Sequence, residues 1–168
     1  AQLWNQRAID LFWDKDGFVL SKSKDLIVAP KDFYDGAVPS VNGLAYYNMV
    51  RLSQLCHDPA LYTKSVHLSD SFGKRINEFP SGHPYWLTGY LYLEAGLPIL
   101  VVIGDLDDKI KATLRSKLGF FGYLQHIQKN TSWLGKLLAK QGFKKKNRQT
   151  TYYFCKNYTC LNPTCELD

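Results

Sequence analysis

The hydrophobic pattern of this sequence changes its period once, at Gly96-Leu97-Pro98. Before this point, apolar residues recur three and four positions apart, which is the spacing of amphipathic helices. After it, residues 99–103 read Ile-Leu-Val-Val-Ile, a β-branched run typical of a strand buried on both faces. The change predicts a helical part over residues 1–97 and a small α/β part over residues 98–168. The fold class is therefore mainly α with a small sheet-containing part.

Four helices are predicted in the first part, at roughly residues 1–13, 41–56, 59–79 and 84–95. Asp58 is suited to cap the third helix, and Pro59 fits its first position, where a missing N–H donor costs nothing. The fourth helix stops at Gly96. Short links between helices favour antiparallel hairpins, which occur both in bundles and in toroids.

The connection between the first two helices is long, and we expect its apolar segments 18–20 and 26–28 to pair as a hairpin. Residues 31–42 are left as a loop. Long loops between helices are frequent sites of function.

The second part alternates strands and helices. We predict strands at 99–103, 123–127 and 151–155, a helix after Asp107, and a helix capped by Thr131-Ser132 and ended by Gly142. This β-α-β-α-β order favours a small sheet with helices packed on it. Gly104-Asp105, between the first strand and its helix, weakly resembles half of a nucleotide site, but no glycine-rich fingerprint or P-loop lysine accompanies it.

Composition argues against two kinds of partner. No stretch approaches the ~20 apolar residues that a membrane span needs, so we expect no membrane contact. Much of the net charge of +6 lies in residues 144–148, which suit a solvated turn better than a nucleic-acid surface. Four cysteines are too few for a disulfide scaffold, which favours a reducing, cytoplasmic location.

The loop at 31–42 holds the strongest candidates for chemistry. Asp35, Ser40 and Asn42 bring a carboxylate, a hydroxyl and an amide to the start of a helix, a place that favours anions and polar ligands. Turn formation by Asp35-Gly36 and capping by Ser40 are the structural alternative. Among the many aromatic residues, Tyr34 and Trp86 are the candidates to contact a substrate, because aromatic faces suit sugar rings.

His83 is the preferred acid/base partner for Asp35. It opens a helix that we expect to lie at the same end of the bundle as Asp35. An ordinary turn histidine is the alternative. His57 follows a helix end, where a positive charge would be stabilised, and a capping role is predicted for it.

Cys155, Cys160 and Cys165 lie close together near the end of the chain. Their spacing does not match a C-x-x-C redox centre or a common zinc site. Cys155 and Cys160 are therefore predicted as structural or redox-active thiols, either packed in a hairpin or joined as a disulfide, and a three-thiolate metal site is the third alternative. We predict no metal and no cofactor.

Three segments resemble one known family. They are Asp-Gly-Ala-Val-Pro-Ser at 35–40 with Asn42, Ile-Leu-Val-Val-Ile-Gly-Asp at 99–105, and Thr-Tyr-Tyr-Phe-Cys-Lys-Asn-Tyr-Thr-Cys at 151–160 with Pro163. In order and spacing they are similar to the carboxyl-terminal third of the thioredoxin-domain-containing family that includes spermatogenesis-associated protein 20. Val41 and Gly43 stand where that family usually has Gly and Ser.

The resemblance implies an amino-terminal thioredoxin-like domain followed by an (α/α)6 toroid similar to N-acylglucosamine 2-epimerases and six-hairpin glycosidases. This chain would hold the last hairpins of the toroid in residues 1–97 and a closing α/β segment in residues 98–168. Its partners would be the missing thioredoxin-like domain and the preceding toroid helices. Apolar faces built for those neighbours would favour a homodimer if the piece is made alone.

Two functions are compatible with these features. In the first, the loop at 31–42 belongs to a sugar-binding or sugar-active site, as an incomplete isomerase or hydrolase. In the second, the chain is a non-catalytic module that accompanies a thioredoxin-like redox domain. Sugar chemistry needs a paired acid and base, and the sequence shows no convincing second carboxylate.

Overall fold

A computed structural model describes residues 1–129 and 132–167 of the chain. The chain divides into two compact units, Ala1–Ala95 and Gly96–Asp168. The first unit consists mostly of helices, and the second contains a four-stranded sheet. The predicted class, mainly α with a small sheet, is confirmed.

All four helices predicted in the first unit are present, and their ends differ from the prediction by at most one residue. They are α1 (Gln2–Phe12), α2 (Val41–Leu55), α3 (Pro59–Glu78) and α4 (Pro84–Ala95), with a short 3-10 turn at Pro80–Gly82. The Asp58 side chain accepts hydrogen bonds from two amides in the first turn of α3, and Pro59 is its first residue. These caps could be predicted because they depend only on local sequence.

Helix α2 is the centre of the first unit and packs on both α3 and α4. Tyr46, Met49 and Val50 on this helix are fully buried. The Tyr46 ring stacks on Trp86 of α4 at a centroid distance of 4.3 Å. Phe33, from the preceding loop, contacts Trp86 edge-on and stacks on Phe72 of α3. An aromatic core thus joins all three helices to residues 31–42.

The carboxyl end of α2 is closed by a Schellman motif, in which the two residues after the cap bond back to the last turn. The His57 N–H bonds to the Gln54 carbonyl at 3.4 Å, and the Asp58 N–H bonds to the Ser53 carbonyl at 2.8 Å. His57 adopts the left-handed φ of 50° that glycine usually supplies here. Burial lowers the pKa of His57, which disfavours a positive charge on its side chain, and His57 takes part in the helix end through its backbone N–H.

The predicted hairpin between residues 18–20 and 26–28 is also wrong. Two-residue strands β1 (Trp13–Asp14) and β2 (Gly17–Phe18) pair instead, immediately after α1. Both backbone hydrogen-bonding groups of Phe18 are taken by the Asn42 side chain, which leaves them unavailable for another strand. Residues 26–28 are exposed, so they gain no burial that would favour a strand.

The second unit has the predicted β-α-β-α-β order. Its elements are β3 (Ile99–Ile103), α5 (Asp108–Leu118), β4 (Tyr123–Ile127), α6 (Trp133–Lys140), β5 (Thr151–Lys156) and a short final strand, β6 (Thr159–Cys160). The sheet order is β4-β3-β5-β6, with β3 and β4 parallel and the other pairs antiparallel. Ser132 caps α6 as predicted, whereas Thr131 lies outside the described residues.

Strand β3 is buried over its whole length because the sheet is covered on both faces. On one face, Leu114 of α5 packs against Leu100, Val102 and Tyr152. On the other, Phe143, which follows α6, contacts the Tyr153 ring of β5 edge-on. This double coverage explains the uninterrupted apolar run that marks the strand in the sequence.

Two surface features can also be stated for the described residues. Residues 144–148 are all exposed, and Asn147 and Arg148 form a tight turn between Lys146 and Gln149. Among residues 1–129 and 132–167, no helix has the length and apolar character needed to cross a bilayer.

We expect Leu100→Ala to destabilise the second unit by about 2–5 kcal/mol, because it leaves a cavity beneath α5 in the sheet centre. Urea unfolding followed by circular dichroism measures the change. The matched control is Leu161→Ala, whose side chain is 69% exposed and whose loss changes stability by less than about 0.5 kcal/mol. Equal effects of the two substitutions would contradict the position assigned to β3.

We expect His57→Gly to stabilise the first unit by about 1 kcal/mol at neutral pH, because glycine adopts the left-handed conformation without strain. The folded-state pKa of His57 is lowered, so folding opposes its protonation. The original chain therefore loses stability as the pH falls below the unfolded pKa of about 6.5. The variant lacks this loss, and its advantage grows on acidification. Unfolding free energies at about pH 8 and about pH 5 test both statements.

Candidate functional site

Residues 31–42 fold against the amino ends of α2 and α4, and the Asp35 carboxylate lies where these ends meet. One oxygen, Oδ1, accepts hydrogen bonds from the backbone N–H and the hydroxyl of Ser40, each at 2.7 Å. The other, Oδ2, accepts a hydrogen bond from the Tyr85 N–H at 2.7 Å. Ser40 is the cap of α2, and Tyr85 is in the first turn of α4.

The position of Asp35 is electrostatically favourable. The amino end of a helix carries a partial positive charge and N–H groups without helical partners. A single carboxylate here satisfies donors at two helix ends at once. Asp35 therefore acts as a brace between α2 and α4.

His83 precedes Pro84, the first residue of α4, and is 6% exposed. Its Nδ1 is 2.7 Å from the Phe33 carbonyl oxygen, which can only accept, so Nδ1 carries the proton in this pair. The neighbouring Asp35 N–H donates to the Gly82 carbonyl at 2.8 Å. Residues 33–35 and 82–85 are thus fastened together by three hydrogen bonds, one of which uses the imidazole.

Asn42 is fully buried and holds three backbone groups. Its Oδ1 accepts from the Phe18 N–H at 2.7 Å. Its Nδ2 donates to the carbonyls of Phe18 and Asp32 at 2.8 and 2.9 Å. The amide therefore connects β2 to the loop, and the approach is so close that a Cβ on Gly17 would lie 3.0 Å from Asn42 Oδ1.

Ser40 is also fully buried, and its hydroxyl both donates and accepts. It donates to Asp35 and accepts from the Gly43 N–H at 3.2 Å. A Cβ on Gly43 would lie 2.6 Å from the Ser40 Oγ. A side chain at position 43 would therefore force this cap to shift.

The two aromatic candidates occupy different environments. Trp86 is 2% exposed and enclosed by Tyr46 and Phe33, so it is a core residue in this structure. Tyr34 is 57% exposed and stacks nearly parallel to Phe79, with 6.5 Å between ring centroids. Of the two, only the Tyr34 ring has a face available to another molecule.

Lys31 contributes a contact that sequence reasoning missed. Its ammonium donates hydrogen bonds to the Asp16 carboxylate and, at 2.8 Å, to the Asp14 carbonyl. The hydrogen bond from Lys31 lowers the pKa of Asp16 below its ordinary value. This pairing fastens the start of the loop to the β1–β2 hairpin, and nothing local in the sequence indicates it.

The terminal cysteines are resolved into one pair and one free thiol. Cys155 and Cys160 face each other across β5 and β6 and are joined by a disulfide, the second of the predicted alternatives. Cys165 is a free, partly exposed thiol. In the described part of the chain, no group of three or more His, Cys, Asp or Glu side chains is arranged to hold a metal ion.

Gly104 has a structural role at the end of β3, where it packs closely against Thr150. It has a φ of 132°, and a Cβ there would lie 2.7 Å from the Thr150 hydroxyl oxygen. The following α5 is capped by Asp107, and Asp108 lies in its first turn. These two carboxylates make the amino end of α5 unfavourable for a phosphate.

The geometry defines a helical unit with a braced loop and a separate α/β unit, and comparison with known proteins gives distant relatives for the chain. It is 31% identical over 104 residues to spermatogenesis-associated protein 20 of Rattus norvegicus, a match covering 59% of this chain and 13% of that protein. The human protein of the same name is 26% identical over 171 residues, covering 94% of this chain and 22% of that protein.

An uncharacterized protein of Caenorhabditis elegans is 24% identical over 162 residues, covering 90% of this chain and 22% of that protein. The chain thus spans between 13% and 22% of the length of these relatives. No protein-family model matches the chain. No solved structure matches it. The comparisons establish distant homology to spermatogenesis-associated protein 20 over part of the chain.

We expect Asp35→Asn to destabilise the first unit by about 1–3 kcal/mol, because the new amide nitrogen must face an N–H or O–H donor. Urea unfolding measures the loss. Asp70→Asn, at an exposed carboxylate on α3, is the matched control and stays within about 0.5 kcal/mol of the original chain. If the two variants unfold alike, Asp35 does not brace the helices.

Proposed function

We propose that this chain is a non-catalytic packing module of a longer protein distantly related to spermatogenesis-associated protein 20. One observation carries the proposal: the polar side chains that looked suited to chemistry bind the chain itself. Asp35 and Ser40 join two helix ends, Asn42 binds three backbone groups, and His83 binds the Phe33 carbonyl. Such bonds stabilise a fold, and a catalytic group must instead present its reactive atom to a substrate.

A sugar-active site in residues 31–42 has less support. Asp35 would have to give up helix-end donors in order to exchange a proton, and Trp86 would have to leave the core in order to meet a sugar face. Only Tyr34, with its exposed ring, is placed as that hypothesis requires. The structural role of Asp35 and Trp86 requires no such rearrangement.

We further propose, following the family resemblance, that residues 1–97 supply the last hairpins of an (α/α)6 toroid and residues 98–168 a closing segment. The support is an open groove of about 610 Å³ between α1 and α2. Its walls include Trp4, Phe12, Leu44 and Leu52, and its polar side chains are few. In this proposal, helices from other parts of the longer protein fill the groove, because apolar grooves of this kind are favourable to cover.

The proposed longer protein also carries the thioredoxin-like domain that the resemblance implies, and it is cytoplasmic. The chain accompanies that domain and adds no reaction of its own in residues 31–42. A homodimer of the isolated chain follows from the same groove, since a second copy can cover it when the other helices are absent.

Leu44→Glu tests the packing role, because Leu44 lines the groove and is 41% exposed in this chain. At protein concentrations low enough to keep the 168-residue chain monomeric we expect a change below about 0.5 kcal/mol, and in the full gene product a loss above about 2 kcal/mol from burying a charge. Ile27→Glu, at an exposed loop residue, is the control and is neutral in both. Thermal unfolding and sedimentation equilibrium give stability and oligomeric state. A small effect in both proteins would contradict the packing role.

Calorimetric titration with glucose and N-acetylglucosamine separates the two functions. We expect no saturable heat with the chain or with the full gene product. Saturable binding that Tyr34→Ala abolishes, without loss of stability, would instead support the sugar-binding alternative, because Tyr34 is exposed and its ring contacts are the Phe79 stack and an edge-on contact with His83.

A further inference from the structure

The Cys155–Cys160 disulfide lies at the edge of the sheet in the second unit. Strand β6, which carries Cys160, is the last in the order β4-β3-β5-β6, and within the described residues no strand lies beyond it. Cys155 is 4% exposed, whereas Cys160 is partly exposed. Cys160 is therefore the more exposed residue of the pair.

An apolar cleft of about 320 Å³ adjoins this disulfide. It is lined by Cys155 itself and by the apolar residues Pro98, Ile99, Leu118, Phe154 and Leu161, with Lys156 and Thr159 completing the wall. The cleft lies wholly in the second unit. Leu161 is 69% exposed and follows Cys160 directly.

The geometry points to a thiol–disulfide exchange site at Cys155–Cys160, whose partner is a protein dithiol that places an apolar side chain in the adjoining cleft. Two independent features support this: a partly exposed cysteine, Cys160, in the last strand of the sheet, and an apolar cleft lined by Cys155 that can orient a partner. The site is separate from residues 31–42 and does not depend on the role proposed for them.

The exchange proceeds in two displacements. A partner thiolate attacks the Cys160 sulfur along the sulfur–sulfur axis, from the open side of β6. A mixed disulfide forms, the bond to Cys155 breaks, and its electron pair stays on Cys155 as a thiolate that then takes a proton. The positive charge of Lys156, which lines the same cleft, favours that thiolate.

In the second displacement, the partner's second thiol attacks the partner sulfur that is bonded to Cys160 in the mixed disulfide. Cys160 is released as a thiol. The partner is oxidised from a dithiol to a disulfide, and this chain is reduced from a disulfide to two thiols. Two electrons and two protons pass from the partner, so no other oxidant or reductant is needed.

Reduction also frees a backbone turn that the disulfide closes. Asn157 and Tyr158, between the two cysteines, have left-handed φ values of 49° and 63°, a conformation that asparagine adopts readily and tyrosine seldom adopts. Asn157 packs closely on Gly96, where a Cβ would overlap its side chain. The redox state of the pair is thereby connected to the first residue of the second unit.

The test uses the full 168-residue chain and two synthetic peptides that each contain two cysteines, one with leucine beside the first cysteine and one with serine there. Acid quenching, alkylation and mass spectrometry follow reduction of the disulfide. We expect the leucine peptide to reduce it about ten-fold faster than the serine peptide, because the cleft orients the apolar side chain. Equal rates, or no reduction by either peptide in the folded chain, would overturn the proposal.

Variants locate the two parts of the site. Leu161→Ser, at an exposed residue of the cleft, should lower the rate with the leucine peptide to the rate with the serine peptide. Cys165→Ser is the control for the free thiol and should change neither rate. A leucine-peptide advantage that survives Leu161→Ser would count against the cleft as the docking surface.

The order of attack is tested by single-cysteine variants incubated with the oxidised leucine peptide. Cys155→Ser leaves the accessible Cys160, and we expect it to form the mixed disulfide about ten-fold faster than Cys160→Ser, which leaves the buried Cys155. Circular dichroism establishes that both variants are folded, and the measurements on the original chain stand if one is not. The reverse order of rates would contradict attack at Cys160.

Discussion

The Asp35 carboxylate is the junction on which the first unit depends. It accepts hydrogen bonds from the cap of α2 and from the first turn of α4, and it thereby fixes the separation of two helix ends that are far apart in the chain. With these ends fixed, Tyr46 and Trp86 can stack between the helices, and Phe33 can enter the core from the loop. Burial of the aromatic core and satisfaction of the helix-end donors are thus parts of one arrangement.

Local features of the fold could be predicted from the sequence. The helix ends at Ser40 and Asp58 depend on side chains within three residues of the amides they cap. The buried strand β3 is visible in the sequence because both of its faces are covered, so that every position is apolar. The two-residue strand β6 is too short to produce a pattern, and its turn lacks the Asn-Gly signal of tight hairpins.

The candidate site shows where such prediction ends. Asp35, Ser40, Asn42 and His83 were predicted from their residue types and their positions near helix starts, and the structure brings them into one region. What sequence could not supply is the direction in which each side chain points. An amide that suits a ligand suits a backbone equally well, and the contact of Asn42 with Phe18 joins residues 24 positions apart. The pairing of Lys31 with Asp16 could not be predicted for the same reason, because the two residues meet only through the tertiary fold.

The segment between residues 20 and 30 has a different consequence. Its ends are tied by the hydrogen bond from the Leu20 N–H to the Pro30 carbonyl at 2.9 Å, while the residues between are almost all exposed. Because the entropy cost of closing a loop rises only slowly with its length, extra sequence inserted here disturbs neither the β1–β2 hairpin nor the brace at Asp35. The segment is therefore a permissive position for inserting a reporter or a whole domain, and a place where related proteins can differ in length without altering the helical core.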